Sequence, residues 1–160
     1  MTLTQLKNDT GWQNTLLNRD FPLAYFMVRI TMGFHMFAHG AVRLPILNDF
    51  ASKTVEEFMD VRLIGIPFFP GWLVYPIVFA VPIVEFAVGV LMIPGLKTRL
   101  AGIAGGVTLL LLMFGTVARA NFGTAHLMWF YVLLFAFLVG ANFADKYSLD
   151  RWLADRRGER

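Results

Sequence analysis

The chain has 160 residues, of which 57% are hydrophobic and 16% charged, against roughly 25% charged in an average soluble domain. Its formal net charge is +3 and it contains no cysteine, which excludes a disulfide framework, a thiol redox centre, a thiolate-ligated iron–sulfur cluster and a Cys-type zinc site. Its Phe and Met residues sit mostly inside long apolar runs, so the apolar character goes all round each segment and lipid is the expected neighbour.

In chain order, the first apolar segment follows a polar stretch and is followed by no small-residue cleavage pattern, so it reads as a retained span and not a signal peptide. It covers 22–44 and opens on Pro22, whose missing N–H is tolerated in a first helical turn. Residues Asn48 to Arg62 interleave charges with Phe50, Val55, Phe58 and Met59 at helical spacing. That pattern fits an amphipathic segment lying in the membrane interface, with a solvated loop as the alternative. The second span covers 70–93 and holds Pro76 and Pro82, which are predicted to kink it or to free backbone carbonyls. It stops at Pro94-Gly95. The third covers 100–117, where Gly102, Gly105 and Gly106 offer a surface for close helix approach. A turn through Arg119, Asn121 and Gly123 leads to the fourth span, 124–143. The predicted fold is an all-α integral membrane four-helix bundle, one domain over 1–160, with tails 1–21 and 144–160.

Lys and Arg set the predicted orientation. Lys7, Arg19, Lys97, Arg99, Lys146, Arg151, Arg156, Arg157 and Arg160 belong to the termini and the turn between spans two and three, against Arg43, Lys53, Arg62 and Arg119 on the other face. The positive-inside bias therefore places both termini in the cytoplasm. The basic balance reflects topology, and no soluble basic face for nucleic acid is visible.

Charged residues at membrane depth are the first candidates for function. Counted from the cytoplasmic ends of their spans, Arg29 and Glu85 reach similar depth, which predicts an interhelical pair that either fixes packing or orients a ligand carbonyl. Near the opposite face, His35, His39 and Arg43 share one stripe of the first span. His126 and Arg119 come from the start of the fourth at comparable depth. Trp72, Tyr75 and Trp129 are interface-belt residues when taken singly. Together with the His and Arg donors they would line a slot for a flat, oxygen-bearing ring, and a quinone head group meets that description. Bis-histidine haem ligation by His39 and His126 is an alternative, with Gly33, Gly40 and Gly123 making room. No metal site is expected, since the histidines have no nearby carboxylate.

Three stretches, VRITMGFHMFAHGAVRL (28–44), IVEFAVGVLMIPGLKTRLAG (83–102) and KYSLDRWL (146–153), resemble the DoxX/DoxD family of small four-span membrane proteins. Arg43 stands where many members of that family carry Lys. The resemblance implies a bacterial inner-membrane protein with a redox association, DoxD-like members being similar to the membrane subunit of a thiosulfate:quinone oxidoreductase. Two functions are therefore expected to compete. One is a quinone-reactive oxidoreductase subunit with His39, Arg43 and Glu85 closest to the chemistry and His35, His126, Trp72, Trp129 and Arg29 around the ligand. The other is a non-catalytic anchor or assembly factor that docks a protein partner through 48–62. A partner subunit or homo-oligomer is implied in either case, and a channel or transporter would need to oligomerise to build a pathway.

Overall fold

The structure is a computed structural model describing residues 19–60, 62–63, 66–67 and 70–158, with backbone only for 62–63 and 66–67. Lys7, Arg160 and most of the first tail lie outside the described residues. Four long helices run as α1 (Phe21–Arg43), α3 (Gly71–Met92), α4 (Thr98–Ala118) and α5 (Phe122–Gly140), with shorter α2 (Leu47–Met59) and α6 (Leu149–Arg157). A 3-10 turn, Leu44–Ile46, joins α1 to α2, and another, Asn142–Ala144, follows α5. Arg62–Leu63 and Ile66–Pro67 form a minimal antiparallel ladder.

Three helices, Gly71–Met92, Thr98–Ala118 and Phe122–Gly140, are long and apolar enough to cross a membrane. They leave large apolar side chains such as Ile83, Leu111, Leu127 and Leu133 exposed on their outer faces, as lipid contact requires. Helix α1 is 23 residues long but carries two Arg and two His, which lower its apolar character. It packs instead as the partner of α3, turning Arg29 fully inward.

The contact between α1 and α3 is set by two glycines. A Cβ on Gly40 would collide with the backbone of Phe86, and one on Gly89 with the backbone of Phe37. The two antiparallel helices thus touch backbone to backbone, and positions 37 and 40 lie level with 89 and 86. The predicted small-residue surface on α4 is likewise used, since a Cβ on Gly105 would meet the Phe135 ring of α5 and one on Gly102 would crowd Val139. The core between these helices is filled by Met32, Met36, Val88, Met92, Leu109, Phe135 and Leu138. Pro76 and Pro82 both lie inside α3, which continues through them as one helix.

The segment expected to be amphipathic is helical, and α2 docks on the first half of α3, burying Ala51 against Val74 and Val78, with Phe50, Val55 and Phe58 packed around them. Its apolar stripe found a helix to cover. The stretch after the fourth span is also more than a tail. Ser148 caps α6 by accepting from the Arg151 N–H. The Leu149 and Asp150 amides donate to the carbonyls of Pro94 and Gly95, pinning α6 to the α3–α4 turn. Gly95 adopts φ +79 there, and a side chain at that position would strike Ser148 and the Arg29 guanidinium.

Candidate functional site

The predicted Arg29–Glu85 pair does not form. Arg29 sits at the end of α3, where its Nη1 donates to the carbonyls of Met92 and Ile93 and its Nη2 to that of Tyr147. Its Nε lies 3.4 Å from Asp145 Oδ1, and its face lies against Phe26. The register explains the difference: with 37 and 40 level with 89 and 86, Arg29 falls beyond the last turn of α3, far along the helix from Glu85. Counting residues from the span ends assumed that the ends align, and they do not. Arg29 supplies donors at the end of α3, where carbonyls lose their partners one turn further on. Beside it Tyr25 donates to the Leu138 carbonyl, and Asn142 donates to both Tyr25 and Thr98. This cluster ties together α1, the α3–α4 turn and the end of α5.

Glu85 pairs instead with Arg43. A single guanidinium nitrogen, Arg43 Nη1, lies 2.7 Å from both Glu85 oxygens. The Glu85 side chain is 3% exposed and that of Arg43 26%. The guanidinium stacks over the Phe50 ring at 5.1 Å. Among the described residues, Arg43 Nε and Nη2 have no acceptor.

Arg43 lines a cavity of about 620 Å³ enclosed by α2, α3, α4 and the start of α5, a size typical of small-molecule sites. Its walls are Val74, Ile77, Val78 and Val81 of α3, Leu111, Leu112 and Phe114 of α4, and Phe50 and Phe58 of α2. Leu73 to Val81 spans about 12 Å of helix. Polar groups stand at both ends: Arg43, whose partner Glu85 is one turn beyond Val81 on α3, and Arg119, Asn121 and Thr124 at the α4–α5 turn. Arg119 pairs with Glu57 of α2 and lies over the Phe58 ring. Phe58 in turn fills the space left by the missing side chain of Gly115. Asn121 is the N-cap of α5, its side chain accepting from the Thr124 N–H.

Of the residues singled out in the sequence, the cavity gathers Arg43 and Arg119, with Glu85 directly behind Arg43. The rim expected from His39, His126, Trp72 and Trp129 does not assemble around it, and none of the four lines the cavity. The His35 ring lies tilted against His39, ring centroids 4.5 Å apart, and against Tyr131 of α5 at 4.3 Å. That cluster lies on the α5 side of α1. His126 is exposed and makes no hydrogen bond or ring contact among the described residues. Trp72 and Trp129 are 79% and 58% exposed, the placement expected of interface or lipid-facing aromatics. No contact brings His39 to His126, and no group of three metal-ligating His, Asp or Glu occurs among the described residues.

Sequence reasoning missed the contribution of α2. Asp49, Phe50, Lys53, Thr54, Glu57 and Phe58 all line the cavity, following an i, i+4, i+8 stripe whose mixed polarity read as interfacial. Comparison with protein-family models, with characterised proteins and with solved structures gives no match.

Proposed function

We propose that this chain is a four-span inner-membrane protein of the DoxX type, with both termini cytoplasmic, that holds a lipophilic quinone in the cavity between α2, α3 and α4 and acts as the quinone-linked component of a redox system. The observation that carries the reading is Arg43: a largely apolar cavity ends on a guanidinium whose Nε and Nη2 have no acceptor among the described residues. A quinone carbonyl is an acceptor without a charge to bury, and a charge-assisted hydrogen bond to it is strong in apolar surroundings. The α3 and α4 walls suit an isoprenoid chain. Hydrophobic burial would supply affinity, and the N–H donors of Nε and Nη2 would fix orientation.

Four spans follow from treating α1 as membrane-crossing. The charges of Arg29 and Arg43 are both paired inside the protein, one with Asp145 and the other with Glu85, which removes the main objection to placing α1 in lipid. The basic residues of the α3–α4 turn and of α6 then share the cytoplasmic side.

The test is solvent extraction of the protein purified in mild detergent, followed by chromatography of the extract and titration with an added short-chain quinone. Co-purifying quinone is the expected result, lost from the Arg43→Met, Glu85→Gln double variant, which leaves no buried charge unpaired and whose melting curve reports that it is still folded. Absence of quinone together with no binding of the added one overturns the proposal and leaves the non-catalytic anchor.

A further inference from the structure

We infer that Glu85, which does not itself line the cavity, sets the charge class of the ligand that Arg43 receives, selecting a neutral oxygen acceptor over a carboxylate. The inference rests on the cavity being a lipophilic-ligand site, and it extends that reading to how the site discriminates.

An isolated guanidinium at the end of an apolar cavity is an anion site, and a fatty-acid carboxylate would be its natural ligand. Arg43 is not isolated. Both Glu85 oxygens accept from the same nitrogen at 2.7 Å, which neutralises the guanidinium without using Nε or Nη2. The site therefore offers donors with no net charge. A ligand carboxylate on those donors would sit within a few ångströms of a buried, ionised Glu85, and in apolar surroundings that repulsion is large. A carbonyl on the same donors meets no such penalty.

The rest of the lining is balanced too. Arg119 is paired with Glu57, and Asp49 and Lys53 stand one turn apart on α2 along the same wall. Nothing along the cavity compensates the charge of an incoming anion.

The experiment compares two probes of similar tail, a benzoquinone bearing a ten-carbon chain and dodecanoate, by equilibrium dialysis against the full chain in one non-ionic detergent, at a pH where dodecanoate is ionised. Native protein is expected to bind the quinone at least about ten-fold more tightly than dodecanoate. In Glu85→Gln the guanidinium keeps its full charge, and dodecanoate binding is expected to strengthen by about ten-fold or more while Glu85→Asp keeps the native preference. A native-only measurement stands beside the variants in case Glu85→Gln does not fold: methyl dodecanoate should displace the quinone where dodecanoate does not. Equal binding of quinone and dodecanoate by native protein, equal displacement by ester and acid, or a folded Glu85→Gln with an unchanged ratio overturns the inference while leaving the cavity reading standing. Binding of neither probe by native protein overturns the cavity reading, and this inference falls with it.

Discussion

Arg43 and Glu85 stand 42 residues apart in the chain and meet through one nitrogen, which contacts both carboxylate oxygens at 2.7 Å. Their exposures are unequal, 26% for the arginine side chain and 3% for the carboxylate, so the two halves of the pair should not be equally dispensable. Arg43→Met leaves a buried charge without a partner and is expected to destabilise by about 3–5 kcal/mol. Glu85→Gln leaves a guanidinium that still reaches the cavity, and a smaller loss is expected. The double variant should recover part of the Arg43→Met loss. Thermal melts of the four proteins in one detergent measure the coupling, and simple additivity of the two losses would contradict the pair.

Arg29 is held differently, by the carbonyls of Met92, Ile93 and Tyr147 and by the nearby carboxylate of Asp145. A lysine carries the charge but not the planar fork that reaches two helix ends at once. Arg29→Lys is therefore expected to recover little of the stability lost in Arg29→Met. Because Arg29 and Glu85 share no partner, combining Arg29→Lys with Glu85→Gln should give additive shifts. A strong coupling in those melts would restore the pairing expected from sequence.

Much of the helical pattern was legible before any coordinates. The apolar segments expected at 22–44, 70–93, 100–117 and 124–143 are helical over Phe21–Arg43, Gly71–Met92, Thr98–Ala118 and Phe122–Gly140, the last three long and apolar enough to cross a membrane, because Pro22, Pro94-Gly95 and the Asn121 cap mark helix ends in physical terms. Gly105 is the close-approach site that the small residues at 102, 105 and 106 imply, its space taken by Phe135. Registers were not legible. Nothing in the residue types says that Gly40 meets Phe86, and that one contact separates Arg29 from Glu85 and brings Arg43 to it. The site was half legible for the same reason: Arg43 was chosen for its position on the α1 stripe, but the stripe splits. Arg43 leaves with α2 and α3, while His35 and His39 turn to Tyr131.

The backbone contact at Gly40 and Gly89 is expected to be intolerant of any added side chain. Gly40→Ala and Gly89→Ala place a methyl group in the backbone of Phe86 and of Phe37, so α1 and α3 must separate, at a loss of about 1–3 kcal/mol or more for overpacking. Gly140→Ala, where nothing lies within 4 Å of the added carbon, is the control and should be near neutral. Melting points that do not separate the three variants would mean that α1 and α3 are not packed at this crossing.

The last expectation concerns the far end of the cavity, where Arg119 joins α4 to α2 through Glu57 and Phe58. Glu57 is 53% exposed and Arg119 27%, and pairs of this kind contribute about 0–1 kcal/mol, weakened further by salt. Removing the pair should therefore shift the melting point of Arg119→Met or Glu57→Gln by no more than a few degrees. Its position matters more than its energy. Helix α2 forms one wall of the cavity, and this pair and Phe58 against Gly115 fasten its C-terminal end to α4. If a ligand leaves by movement of that wall, both variants should release a bound quinone several-fold faster than native protein. Raising the salt should accelerate release from native protein and not from either variant. Stopped-flow dissociation with the ten-carbon quinone, read at low and high salt, gives both comparisons. Equal rates in all three proteins would mean that α2 is a fixed wall and that the ligand leaves by another path.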